Sequence, residues 1–341
     1  MYPALHRQSV LLQCFAHGGN MNRREFLKGA AVAAAVYGIP VSLLTELSFA
    51  EDMITKANAR WANAEIKVEP VADGLHMLSG IGGNVGILRT GKDTLLVDTG
   101  AHVRTADVLA KNAALGNGAP KILVNTHYHF DHVDGNENLA KAGCEIVAHE
   151  NTRKRMSAPQ LIEFAGETLP AWPQSALPTR TFADELVLTP GGESARLVHV
   201  PDAHTDTDAI VVFEKQNAIH AGDLLFNGFY PVIDFSAKGW IGGQAAGAQK
   251  VADLAKADSI IIPGHGPLAT KSQARAQADM LNKICERLSK LMEKGSTVTE
   301  AIAAKPTADF DDQWGKGMFS GDRFTEMAYK GLLRHYGKAF A

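Results

Sequence analysis

Apolar residues in this chain follow two rhythms. Over Gly86–Leu88, Thr94–Val97, Lys121–Asn125, Glu145–Ala148, Arg196–Val200, Ala209–Phe213, Asn217–His220 and Ser259–Ile262 they form short runs of three to five residues. Runs this short predict strands, and the longer stretches between them predict helices. From Gln273 the rhythm changes: Leu281, Ile284, Leu288 and Leu291 recur at helical spacing until Gly295. This predicts an amphipathic helix packed through one face. Thr297 and Glu300 form a capping-box pattern for a second short helix stopped by Pro306, and Asp322–Tyr336 reads as a last helix. The expected organisation is an α/β domain over residues 51–272, with a helical extension over 273–341 packed on the same domain.

The first fifty residues have another character. Arg23 and Arg24, within Asn22–Lys28, precede an Ala-rich apolar stretch over Gly29–Leu44 and a small-x-small pattern at Ser48–Phe49–Ala50. This resembles a twin-arginine export signal. The resemblance implies passage through the twin-arginine machinery, cleavage after Ala50 and a periplasmic mature protein. Gly38 and Pro40 interrupt a stretch already short for a span, so no stable membrane anchor is expected after cleavage. Met21 is a plausible start, which would place residues 1–20 outside the native protein. About 290 residues would remain, enough for one large core. A formal net charge of −3 leaves no basic footprint for nucleic acid. Among the three cysteines, Cys14 would leave with the signal, and Cys144 and Cys285 have no framework spacing.

The chemistry concentrates in His127–Tyr128–His129–Phe130–Asp131–His132, where four metal-ligand side chains fall within six residues. If the chain leaves the Lys121–Asn125 strand extended, His127 and His129 point the same way. A helix starting near Asp134 would then let Asp131 and His132 face a second cation. Further donors stand at the ends of other apolar runs: His204 in Pro201–Thr205, Asp223 in Ala221–Asp223, and His265 in Pro263–Gly266. We assign His127, His129 and His204 to one metal and Asp131, His132 and His265 to the other, with the Asp223 carboxylate bridging. Nitrogen and carboxylate donors without thiolate suit zinc best, two ions per chain, although iron and manganese accept the same set. His199 and His220 lie inside strand-like runs and are expected in the core or on a sheet face, and His102 and His149 lie just past strand ends, able to reach the pocket but read as non-ligands.

The ordered set Val97–Gly100 (VDTG), Thr126–His132 (THYHFDH), His204–Asp208 (HTDTD), Ala221–Asp223 (AGD) and Pro263–Gly266 (PGHG) resembles the metallo-β-lactamase superfamily, from about Ile66 to about Leu268. That resemblance implies a four-layer αββα sandwich, with the metals at one edge of two face-packed mixed sheets. It also implies that Asp98 orients a ligand histidine or its loop by hydrogen bonds.

Two cations a few Å apart would make a bridging hydroxide the nucleophile, with Asp131 able to hold it, so no Ser or Cys nucleophile is needed. The Gly-rich turn Gly80–Asn84 reads as a flap or an ordinary turn, and the aromatic run Phe226–Tyr230 as an apolar wall or as core. The C-terminal helices read as fold rather than site, with the Trp314–Phe319 loop the one part able to approach the pocket. The first expectation is hydrolysis of a small cyclic amide or ester, β-lactamase-like. The best-known lactamases of this fold carry Cys where Asp223 stands and a Lys where this chain has Phe226. Those departures leave lactonase or thioesterase (glyoxalase II-like) activity as the alternative. A mononuclear iron persulfide dioxygenase and a non-catalytic metal-binding protein are the more distant readings.

Overall fold

The computed structural model describes residues 55–339; the leader with its export signal lies outside them. Residues 55–62 are helical (α1). Then come β1 (Lys67–Ala72), β2 (Leu75–Ser79), β3 (Val85–Thr90), β4 (Asp93–Val97), α2 (Thr105–Ala114) and β5 (Pro120–Val124). They are followed by α3 (Phe130–Val133), α4 (Asn136–Lys141), β6 (Glu145–His149), α5 (Glu150–Met156), the hairpin β7 (Gln160–Ile162) and β8 (Glu167–Leu169), and β9 (Arg180–Phe182). Sheet one has the order β1-β2-β3-β4-β5-β6-β9, antiparallel up to β4 and parallel beyond it.

Sheet two is built from β10 (Glu185–Leu188), β11 (Ala195–His199), β12 (Ala209–Phe213), β13 (Ala218–Phe226), β14 (Ile260–His265) and β15 (Ala269–Thr270) in that order, with β13 and β14 parallel. The remaining helices are α6 (Ile241–Leu254), α7 (Lys271–Glu293), α8 (Val298–Ala303), α9 (Asp311–Trp314) and α10 (Gly321–His335).

The two sheets pack face to face because their inner strand positions are apolar. Leu88, Leu95, Val97 and Val124 from sheet one share a core with Leu197, Val211, Phe213 and Ile262 from sheet two. The alternate positions of sheet one, Ile87, Leu96, Leu123 and Ile146, pack outward with Val108 of α2 and Leu139 of α4. Those of sheet two, Ile210, Val212 and Ile261, pack with Val251 and Ala252 of α6 and Ala274 of α7. Period-two alternation thus feeds a different core on each face, and the layers stack helix, sheet, sheet, helix. A further apolar cluster joins Ile284 and Leu288 of α7 to Tyr329 and Leu332 of α10 and to Phe226 and Ile233.

Two expected boundaries shift. Helix α3 starts at Phe130, not near Asp134, because His129 is extended (φ −64, ψ 146) and the His132 and Val133 amides already bond back to its carbonyl. Asp223 lies within β13, where Gly222 (φ 52) interrupts the register with β14. The strand therefore continues past the kink that turns Asp223 aside.

Candidate metal centre

Loops leaving β4, β5 and β11, the kink in β13 and the end of β14 converge at one edge between the sheets. They bring His127, His129, His204 and Asp223 into one group whose donor atoms all lie within 4.8 Å of one another, and Asp131, His132 and His265 into a second. Asp223 faces both groups: its Oδ2 is 3.5 Å from His204 Nε2 and 3.5 Å from His265 Nε2, and its Oδ1 is 3.2 Å from His132 Nε2. A Cβ on Gly264 would stand 1.9 Å from Asp223 Oδ1, so only glycine lets β14 pass this carboxylate.

Hydrogen bonds on the far side of the rings decide which nitrogen faces inward. His132 Nδ1 lies 2.8 Å from Asp98 Oδ2, and His129 Nε2 lies 3.0 Å from Asp234 Oδ2. His204 Nδ1 lies 2.8 Å from the Val232 carbonyl. The Thr126 hydroxyl donates to Asp98 Oδ2 at 2.7 Å, so at 3.0 Å it accepts from His127 Nδ1. Carboxylates and carbonyls only accept, so each of these outer nitrogens carries a proton and the inner nitrogen is the one left to face the cluster. Asp98 orients His132 directly and His127 through Thr126, whose amide it also accepts at 2.7 Å.

The inward donors then oppose one another. His129 Nδ1 and His204 Nε2 are 2.8 Å apart, and His132 Nε2 and His265 Nε2 are 3.4 Å apart. His127 Nε2 and Asp223 Oδ1 are buried with no aligned hydrogen-bond partner. Ring nitrogens brought this close and unsatisfied buried acceptors are costly unless a proton or cation stands among them. The donor set therefore fits metal ions.

The electrostatics agree. Burial, reinforced by His132, holds His127 well below its ordinary value, and burial holds His204 at about 4, so both are neutral and able to ligate at pH 7. For His265 burial acts downward, but the carboxylates of Asp223 and Asp131 outweigh it and raise the group to about 9. Burial pushes Asp223 up, yet His265, His132 and His127 together hold it well below the carboxylate range. Two opposed populations of charge share one dry site.

The metallo-beta-lactamase superfamily model matches residues 78–274, which hold every residue of this cluster. The chain belongs to the metallo-β-lactamase superfamily. A twin-arginine translocation signal sequence matches residues 20–36, so this superfamily member is exported by the twin-arginine pathway. Acyl-coenzyme A thioesterase MBLAC2 of Bos taurus is 22% identical over 236 residues, 62% of this chain and 84% of that protein. A hydroxyacylglutathione hydrolase of Rhodospirillum rubrum is 32% identical over 123 residues, 35% of this chain and 39% of that protein. Among solved structures, a metallo-beta-lactamase from Pontibacter korlensis superposes with a TM-score of 0.52 at 19% identity, covering 64% of this chain and 99% of that one. DIM-1 metallo-beta-lactamase gives 0.50 at 18%, covering 64% and 97%. These structures share the metallo-β-lactamase fold.

Other sequence-marked residues fall elsewhere. His102 is half-exposed and pairs with Asp134 at 2.7 Å. His149 stacks on His199 with ring centroids 3.6 Å apart, outside both donor groups. His220 is buried in sheet two with its Nε2 3.2 Å from the Asn84 carbonyl. The Gly80–Asn84 turn is no flap: the Gly83 amide bonds the Asp131 carbonyl at 3.0 Å, and a Cβ on Gly83 would stand 2.2 Å from the His132 ring. It is a packed shoulder that buttresses the histidine. Phe226 stacks on His265 at 5.1 Å, whereas Tyr230 stacks on Phe324 in the helical core, so the aromatic run divides.

Sequence reasoning passed over Asp234, which accepts from the Tyr128 hydroxyl at 2.5 Å, His129 Nε2 at 3.0 Å and the Ser236 amide at 3.0 Å. Its only signal is a lone acid closing the apolar run Pro231–Ile233. The α1 helix and the β7–β8 hairpin, both at the site's cavity, were passed over too.

Proposed function

We propose that this protein is a periplasmic binuclear zinc hydrolase that cleaves an ester or thioester. His127, His129 and His204 would hold one ion and Asp131, His132 and His265 the other, with Asp223 between them. Bound there, the ions would supply a hydroxide nucleophile near neutral pH and polarise the carbonyl under attack. Asp98 and Asp234 hold a proton on the outer nitrogens of His132 and His129 and so aim the inner nitrogens at the ions. Asp131 lines the cavity beside His265 (3.3 Å) and is held low by His132 and His265 against the upward push of burial, so it is ionised and placed to accept a proton. The observation that carries this reading is the close opposition of inward ring nitrogens, His129 Nδ1 to His204 Nε2 at 2.8 Å and His132 Nε2 to His265 Nε2 at 3.4 Å.

The curated relatives are both named for thioester chemistry, and Phe226 packs as an apolar plate on His265 where a lactamase would offer a cation to its substrate. We therefore place ester and thioester hydrolysis ahead of the cyclic amide that the motifs alone suggest. Signal removal after Ala50 would leave α1 intact. The test is elemental analysis of protein from Glu51 onward, beside turnover of a thioester, a lactone and a chromogenic lactam. Two zincs per chain, with thioester turnover abolished by His129→Ala, is the expected result. One iron with oxygen uptake and no hydrolysis would replace this reading with the dioxygenase.

A further inference from the structure

A cavity of about 460 Å³ lies over the cluster, and of the seven donors only His129, Asp131 and Asp223 reach it. Most of its walls come from elements that supply no donor. Trp61 of α1 forms one side, Ile162, Phe164 and Leu169 of the β7–β8 hairpin another, and Met318 and Phe319 a third. The cations Lys56, Arg60 and Arg323 border it and are exposed, Arg323 bonded to Glu326 and to the Phe164 carbonyl at 2.6 Å, while the buried acid Glu167 stands in the wall. The α1 wall is held from behind. The Arg104 guanidinium donates to the carbonyls of Trp61 and Ala62 at 2.8 and 2.7 Å, and the Trp61 ring rests on Phe130 at 5.8 Å. The segment that follows the export signal is thus built into the site.

Attack on a carbonyl needs only the polar floor. Apolar walls disfavour a hydrated polar group and favour alkyl chain by about three- to fourfold in affinity per buried methylene. Basic side chains at an opening attract an anion in a salt-dependent way.

We propose that this cavity is an acyl-chain site. Resting on the hydrolase reading above, it assigns a substrate with an apolar segment beside the scissile carbonyl and an anionic group beyond it. Trp61 and Arg60 of α1 set that preference, and Arg104 is a positioning residue behind them.

The test separates binding from turnover. Straight-chain alkanesulfonates, poor metal ligands, and alkanols of matched length, from butyl to decyl, are titrated calorimetrically into the signal-processed, metal-loaded protein. Affinity is expected to rise with chain length in both series. The sulfonates should bind about two- to fivefold more tightly at low salt, a margin that salt or Arg60→Glu removes. Trp61→Ala should flatten the chain-length slope, and Ile162→Ala on the facing wall should do the same even if α1 undocks. Affinities independent of length, or equal for the two series, would overturn the proposal.

Thioesters bearing a carboxylate on the acyl tail or on the leaving thiol then locate the anion. A preference for either supports the assignment, and rates indifferent to both overturn it. Binding that obeys both rules while no ester turns over would defeat the hydrolase reading and leave the ligand class standing.

Discussion

His129 shows how far one side chain's role depends on its neighbour. Its Nε2 is committed to Asp234, so only Nδ1 is left for the cluster. Burial pushes the Asp234 carboxyl up, but bonds from His129, Ser236 and Tyr128 outweigh this and hold it at about 2. Asp234→Asn keeps the shape and removes the charge that fixes the tautomer. Metal affinity is expected to fall about 10- to 100-fold, read by competition with a chromophoric chelator, while the far-ultraviolet dichroism stays unchanged. Unaltered affinity would make Asp234 a structural acid only. The residues of the His127–His132 loop are legible because four donors crowd six positions. Asp234 is not, because nothing near it in sequence marks an acid that bonds a histidine 105 residues away.

Helix α7 is the element the hydrophobic pattern describes best, since Leu281, Ile284 and Leu288 are all fully buried. It begins two residues before the expected Gln273. Thr270 caps it, its hydroxyl accepting from the Gln273 amide while the Gln273 side chain accepts from the Thr270 amide at 2.9 Å. Thr270→Ala removes one half of that box. A loss of about 1 kcal/mol is expected, seen as a melting temperature lower by about 2–4 °C with metal content unchanged. A larger drop would mean that α7 carries more of the fold than its cap. The pattern at Thr297 and Glu300 likewise becomes a capping box on α8. The β7–β8 hairpin escapes such reading because strands of three residues are too short to display alternation.

For the molecule as a whole, the cluster couples metal, proton and fold. His265 is raised from 6.5 to about 9. In metal-free protein its contribution to stability is therefore fully present below pH 6.5 and lost as pH rises through about 9. Metal binding has the opposite slope, because the ion must displace that proton. The gap in melting temperature between metal-loaded and chelated protein should widen across this interval, as followed by calorimetry with and without chelator. A gap that narrows would contradict the coupling.

The donors, their order along the chain, the strand runs and the export signal are all written locally, in spacings of a few residues, and can be read without the fold. The inward-facing nitrogens, the packed Gly83 shoulder and the walls of the cavity are decided by tertiary structure. A lone pair's direction depends on the acceptor behind the ring, and a cavity's shape on which distant apolar surfaces meet. In this protein α1, the β7–β8 hairpin and the Met318–Phe319 loop come together over the metal edge from widely separated parts of the chain, and side-chain packing between such segments leaves no periodic trace in sequence.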